Sequence, residues 1–251
     1  MESIDVLGCR VDAIDRPAAI SRIAELANAQ PSSLVVTLGV EMVMRAQHDT
    51  AFRTIVNGAA LNLCDTIGLL LASRARKGPL RSRVTGVELI ADLAARSAQD
   101  RDIRFYLLGG SGDTAVRAAR ALERRFPGAI ICGARDGYFR AEESAAVAAA
   151  IAASRANTLC AGLGSPKQEK WLATYGAAAG VGVGIGVGGS LDVLAGAVQR
   201  APRVVQGLGL EWAYRLARDP RRWRRQLALP QFVFAVAKEA VMGEEKARSC
   251  R

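Results

Sequence analysis

The chain has 251 residues, 50% of them hydrophobic and 5% aromatic, and a formal charge of +10. That length fits one large α/β domain, or one domain with a small appendage, and supports a sizeable core. The charge implies an anionic partner, whether nucleic acid, an acidic membrane surface or a phosphorylated ligand, and the single His48 excludes most histidine-based metal sites and any triad using another histidine.

The five cysteines, Cys9, Cys64, Cys132, Cys160 and Cys250, form no CxxC pair. Cys64, Cys132 and Cys160 lie in apolar, strand-like runs and read as buried free thiols of a reducing cytosol. The N-terminus is acidic and unlike a signal peptide. No apolar run reaches the roughly 18–20 residues that a bilayer span requires.

In chain order, residues 4–14 alternate apolar and polar and predict a small hairpin. A helix follows from Arg16 to Ala29, with Asp15 as cap and Pro17 in its first turn. Ser33 to Leu38 reads as a strand, Glu41 to Val56 as helical, and Ala60 to Leu63 as a strand delivering Asp65 to its tip. A helix follows from Ile67 to Ala75, then a basic loop to Arg83, then a helix from Gly86 to Ala98. Strands over 103–108, 129–132, 158–163 and 181–187 alternate with helices over 113–126, 141–154 and from Pro166. Such alternation predicts an α/β class: a Rossmann-like parallel sheet with right-handed crossovers, flanked by helices. From about Pro202 the composition turns basic and aromatic, which predicts a 1–202 domain followed by a helical 203–251 appendage.

Thr37, Asp65, Gly109-Gly110, Gly164-Ser165 and Gly188-Gly189 each fall just after an apolar strand. In a parallel sheet these positions meet along one edge, where ligands bind. Glycines there admit a phosphate to the backbone, and a helix N-terminus favours its charge; the alternative is that they are simple tight turns. Asp65 has two readings, a general base for a hydroxyl or the N-cap of the next helix. Lys167 and Gln168, in Pro166-Lys-Gln-Glu-Lys170, can point into the crevice, with Glu169 and Lys170 in solvent. Arg83 offers a second cation, and Arg215, Arg222 and Arg225, spaced by seven and three, suit a pyrophosphate if one helix carries them. Trp212, Trp223 and Phe232 either meet a membrane interface or pack on the domain or a second subunit.

Other chemistries fit less well. Gly109-Gly-Ser-Gly112 lacks the full dinucleotide fingerprint, and no P-loop motif occurs. Asp100-Arg-Asp102 precedes a strand and so belongs to the far edge, as a solvated turn; without it no acidic cluster holds a divalent ion. A nucleic-acid binder would account for the charge but not for the strand-tip residues, and no recognised binding module is present.

Thr37…Glu41, Asp65-Thr-Ile-Gly68, Arg83-Val-Thr-Gly86, Leu107-Leu-Gly-Gly110, Asp136-Gly-Tyr-Phe139, Gly162 to Trp171, Gly186 to Asp192, Arg200-Ala-Pro202 and Gly209 to Arg215 occur in that order. Together they resemble the WecG/TagA/CpsF family of bacterial glycosyltransferases, over nearly the whole chain. The resemblance implies an inverting transferase that needs no metal or other cofactor. Its donor is a UDP-sugar, typically of N-acetylmannosamine or its uronic acid. Its acceptor is a polyprenyl-diphosphate-linked sugar at the cytoplasmic membrane face, within cell-envelope polysaccharide synthesis. It further implies Asp65 as general base, and Thr37, Arg83 and Gln168 as donor- or acceptor-positioning residues. Tyr138 and Asp192 are implied at the uridine, and Arg215, Arg222 and Arg225 closing over the diphosphate. The expected partners are thus a UDP-sugar, a lipid-linked acceptor and an anionic membrane surface, with a second copy of the chain left open and no nucleic acid. Many members carry Thr-x-Asn where this chain has Thr37-Leu-Gly39, which leaves the donor sugar open.

Overall fold

The structure is a computed structural model and describes residues 1–207, 210–218, 223 and 227–249; the side chains of Arg203, Arg215 and residues 240–249 lie outside that description. Strands β1 (Ser3–Val6) and β2 (Cys9–Asp12) form an antiparallel hairpin. Helix α1 (Arg16–Ala27) starts at Asp15, whose carboxylate accepts the Ala18 N–H at 2.9 Å. Then come β3 (Ser33–Leu38), α2 (Val40–Ala46), α3 (Thr50–Asn57), β4 (Leu61–Cys64), α4 (Ile67–Ala75) and α5 (Gly86–Asp100). The second half runs β5 (Arg104–Gly109), α6 (Thr114–Arg125), β6 (Ile130–Arg135), α7 (Ser144–Ala153), β7 (Thr158–Gly162), α8 (Lys167–Tyr175), β8 (Val183–Gly186) and α9 (Ser190–Leu194). Helices α10 (Arg203–Gly207), α11 (Glu211–Arg218) and α12 (Ala228–Ser249) follow.

Among the described residues, six strands form one parallel sheet in the order β4-β3-β8-β7-β5-β6. The predicted α/β class and the parallel sheet flanked by helices are both present. Alternate residues point to opposite faces, so Val35, Leu107 and Ile185 join α1, α5 and α6 in one core. Val36 and Leu38 pack with α2, α3 and α4 on the other face, and Leu108 and Leu159 with α7 and α8. Burial on both faces is why these strands read as continuous apolar runs. The first strand, β3, continues outward to β4, and the last, β8, lies beside it and leads into the C-terminal helices. A crevice opens at the C-terminal ends of these strands, lined by residues from the ends of β3 and β4 and the turns after β7 and β8.

Several expectations need correcting. The helical stretch predicted over Glu41–Val56 is two helices, because Asp49 accepts the Phe52 N–H at 2.9 Å and starts α3. The predicted strand over 129–132 runs on to Arg135 as β6, an edge strand, so Cys132 is only half-buried. Asp102 does sit on the far edge, but as the partner of Arg96 at 2.7 Å, not as a solvated residue. Phe232 is 3% exposed and belongs to the core shared by α2 and α4, which decides its reading in favour of packing on the domain.

Candidate active site

The carboxylate of Asp65 is delivered by β4. The Asp65 N–H still pairs with the Leu38 carbonyl at 3.0 Å, so the side chain departs from the strand's tip. Thr66, not Asp65, occupies the N-cap of α4 (φ −108, ψ 149), and its Oγ1 accepts the Val40 N–H at 3.3 Å. Asp65 Oδ1 instead accepts the N–H of Gly86, the first residue of α5, at 3.3 Å. Gly86 also packs closely on the start of α9: a Cβ there would lie 2.6 Å from Ser190 Oγ. Burial, with Asp65 beside it, pushes the neighbouring Cys64 thiol up to about 12, so Cys64 stays an inert thiol.

Around Asp65 lies a crevice with a volume of about 280 Å³. Thr37, Arg83, Gly164, Gln168, Gly188 and Gly189 line it with Asp65. The Thr37 hydroxyl donates to the Gly186 carbonyl at 2.7 Å, which leaves its oxygen as an acceptor. Arg83 Nη2 donates to the Gln206 carbonyl at 3.0 Å. Gln168 is 2% exposed, and its amide is committed at both ends. Its Oε1 accepts the Gly188 N–H at 3.0 Å, and its Nε2 donates to Glu169 Oε1 at 2.7 Å. The Gly188 N–H is therefore used within the fold, so this turn does not offer that donor to a phosphate.

Other predicted residues share the sheet's C-terminal edge without lining the crevice. Gly109 and Gly110 serve the approach of β5 to β7: the Gly110 N–H donates to the Gly162 carbonyl at 3.3 Å, and a Cβ on Gly109 would meet that oxygen at 2.5 Å. Lys167 turns toward the β6 end, where its Nζ donates to the Gly137 carbonyl at 3.3 Å and sits 4.9 Å above the Phe139 ring. Tyr138 stands on the same rim, 80% exposed. Asp192 lies in the first turn of α9, and its carbonyl accepts the Ala197 and Val198 N–H groups at 2.9 and 3.1 Å. Arg215 belongs to α11, with only its backbone described, and Arg222 and Arg225 lie outside the described residues.

The structure gives the site residues to which the sequence assigns no place in it. Glu169, expected in solvent, is 0% exposed. Burial pushes its carboxyl up, against the pull of Gln168, its own backbone N–H and Ser165. Its neighbours carry the missed signal: Gln168, Trp171 and Leu172 share the buried face of α8. Trp212, a candidate for a membrane interface, lines the crevice beside Glu211. Arg200 also lines it, and no periodic pattern marks a residue that arrives from coil. Among the described residues no group of three or more His, Cys, Asp or Glu side chains could hold a metal ion.

The geometry sets the Asp65 carboxylate, with Glu41 and Glu211 also lining the crevice, among cations and glycine turns at the mouth of a parallel sheet. Residues 4–246 match the glycosyl transferase WecG/TagA/CpsF family. An N-acetylglucosaminyldiphosphoundecaprenol N-acetyl-beta-D-mannosaminyltransferase of Bacillus spizizenii is 34% identical over 82% of this chain and 79% of its own length. A protein of the same name from Staphylococcus aureus is 32% identical over 94% of this chain and 92% of its own. The chain belongs to the WecG/TagA/CpsF family of glycosyl transferases.

Proposed function

We propose that the chain moves a sugar, of the N-acetylmannosamine type or a related hexose, from a UDP-sugar to a polyprenyl-diphosphate-linked sugar, with inversion and without a metal. The reading is carried by the placement of Asp65, held by the Gly86 N–H inside a crevice that also receives Arg83 and Arg200. The names of the relatives support it, since both describe mannosaminyl transfer to an N-acetylglucosaminyl diphosphoundecaprenol acceptor.

The acceptor hydroxyl gives its proton to the Asp65 carboxylate as its oxygen bonds to the anomeric carbon of the donor. The bond from that carbon to the diphosphate breaks, and UDP leaves with the electron pair. General-base help of this kind is worth about 10²–10⁴ in rate. Arg83 and the tail arginines Arg215, Arg222 and Arg225 stabilise the charge gathering on UDP. Thr37 positions the sugars directly and Gln168 does so through the Gly188 turn, while Tyr138 and Asp192 hold the uridine. The glycine turns at Gly109-Gly110, Gly164 and Gly188-Gly189, with Lys167, shape the path of the donor.

The enzyme works on the inner face of the cytoplasmic membrane. No helix among the described residues is long and apolar enough to cross a bilayer. Val233 and Phe234 are exposed apolar side chains on α12, in a strongly basic chain, and suit contact with anionic lipid. The 203–251 segment is the unit that makes this contact. The test is a screen of UDP-sugars against a short-chain polyprenyl-diphosphate-GlcNAc, with product mass and anomeric configuration read out. One donor should yield a disaccharide of inverted configuration with no divalent cation added. Retention of configuration, or an absolute metal requirement, would overturn the mechanism.

A further inference from the structure

Arg200 belongs to a sequence motif, Arg200-Ala-Pro202, to which the proposed reaction assigns no task. It lies in the segment between α9 and α10, and its side chain lines the crevice together with Asp65 and Arg83. Its guanidinium is only partly engaged. Nη2 donates to Glu88 Oε1 at 3.1 Å and reaches Thr85 Oγ1 at 3.4 Å, while Nε is buried without a hydrogen-bond partner. Glu88 has partners besides this cation. Its Oε2 accepts the Thr85 hydroxyl at 3.0 Å and faces Arg16 Nη1 at 3.3 Å. Burial pushes the Glu88 carboxyl up, but Thr85, Arg200 and Arg16 outweigh it and hold it below the ordinary glutamate range. Arg200 also lines a second cavity of about 420 Å³ together with Arg16 and Glu88.

We propose that Arg200 is a diphosphate-binding residue, held on Glu88 while the crevice is empty and handed to the phosphates when a diphosphate enters. This rests on the glycosyl-transfer reading above. A planar guanidinium grips adjacent phosphate oxygens with parallel N–H bonds, which suits a diphosphate better than a single carboxylate oxygen. The usual obstacle to such an exchange is the carboxylate left behind, because a half-buried charge without a partner is unfavourable. Here Arg16 and Thr85 remain on Glu88, so the exchange strands no charge. Both substrates of the proposed reaction carry a diphosphate, and the geometry fits either.

The test is calorimetric titration of wild type, Arg200→Gln and Glu88→Gln with three ligands: UDP, a short-chain prenyl-diphosphate-GlcNAc, and uridine. Arg200→Gln should weaken binding of one diphosphate by about 10–100-fold, the effect of losing charged hydrogen bonds, and leave uridine unchanged. Glu88→Gln should act in the opposite direction and tighten the same diphosphate by about 2–5-fold, because the competing carboxylate is gone. The arm that responds identifies donor or acceptor. If Arg200→Gln fails to fold, as a melting curve would reveal, the sign of the Glu88→Gln effect decides the matter: a purely structural ion pair predicts no tightening. Equal diphosphate binding by folded Arg200→Gln, or unchanged or weaker binding by Glu88→Gln, overturns the role of Arg200. Failure of wild type to bind either diphosphate overturns the glycosyl-transfer reading itself.

Discussion

Gln168 and Glu169 are adjacent in sequence and act as one unit. The Glu169 carboxyl fixes the orientation of the Gln168 amide, and that amide holds the Gly188 turn at the edge of the crevice. Gln168→Leu removes the acceptor and leaves a backbone N–H unpaired. The expected cost is about 1–3 kcal/mol of stability, read by urea denaturation, together with slower transfer. Glu169 has a pH signature. Its carboxyl is raised by burial above the ordinary glutamate range, so its contribution to stability is fully present below that range and is lost as pH rises through the folded value. Glu169→Gln cannot ionise, so its melting temperature relative to wild type should climb with pH above that point; a pH-independent difference would show that Glu169 is ionised in the fold. Asp65 was legible in the sequence because an apolar run ends abruptly on it. Glu169 was not, because it sits between Gln168 and Lys170 and resembles a solvated charge.

At the scale of elements, α12 packs some side chains on the domain and exposes others. Phe232 fills the core between α2 and α4, while Val233 and Phe234 on the same helix are 66% and 72% exposed. Phe232→Ala should lower stability by about 3–5 kcal/mol in chemical denaturation, the usual result of emptying an aromatic core position. Replacing Val233 and Phe234 with serine should leave the melting temperature unchanged and reduce sedimentation with anionic liposomes; unchanged sedimentation would remove these two from the membrane contact. Alternating apolar strands and helices made most elements readable, and the predicted bounds of α4 match those observed. The break between α2 and α3 was missed because Gln47, His48 and Asp49 do not interrupt a helical apolar pattern, and only the capping bond of Asp49 reveals the stop. The dual nature of α12 was equally hidden, since neighbouring aromatic residues carry no mark of which side meets the core.

For the whole molecule, the parallel sheet converts a list of distant residues into one place. Positions as far apart as Thr37, Asp65, Gln168 and Gly188 line a single crevice because each lies at or beyond the C-terminal end of a strand of the same direction. Strand direction was readable from the alternation of elements. Strand order was not, and it separates Gly109, Gly110 and Tyr138, at the β5–β6 end, from Asp65 at the other end of the sheet. The contribution of Trp212 and Arg200 to the wall is a tertiary contact of the C-terminal third, which local patterning does not encode. The central claim is that the Asp65 carboxylate removes the acceptor's proton. It is tested most directly by the single-turnover transfer rate of Asp65→Asn, measured alongside its UDP affinity and melting temperature. The account predicts a rate lower by about 10²–10⁴ with affinity and melting temperature preserved. A variant that transfers sugar at the wild-type rate would contradict it.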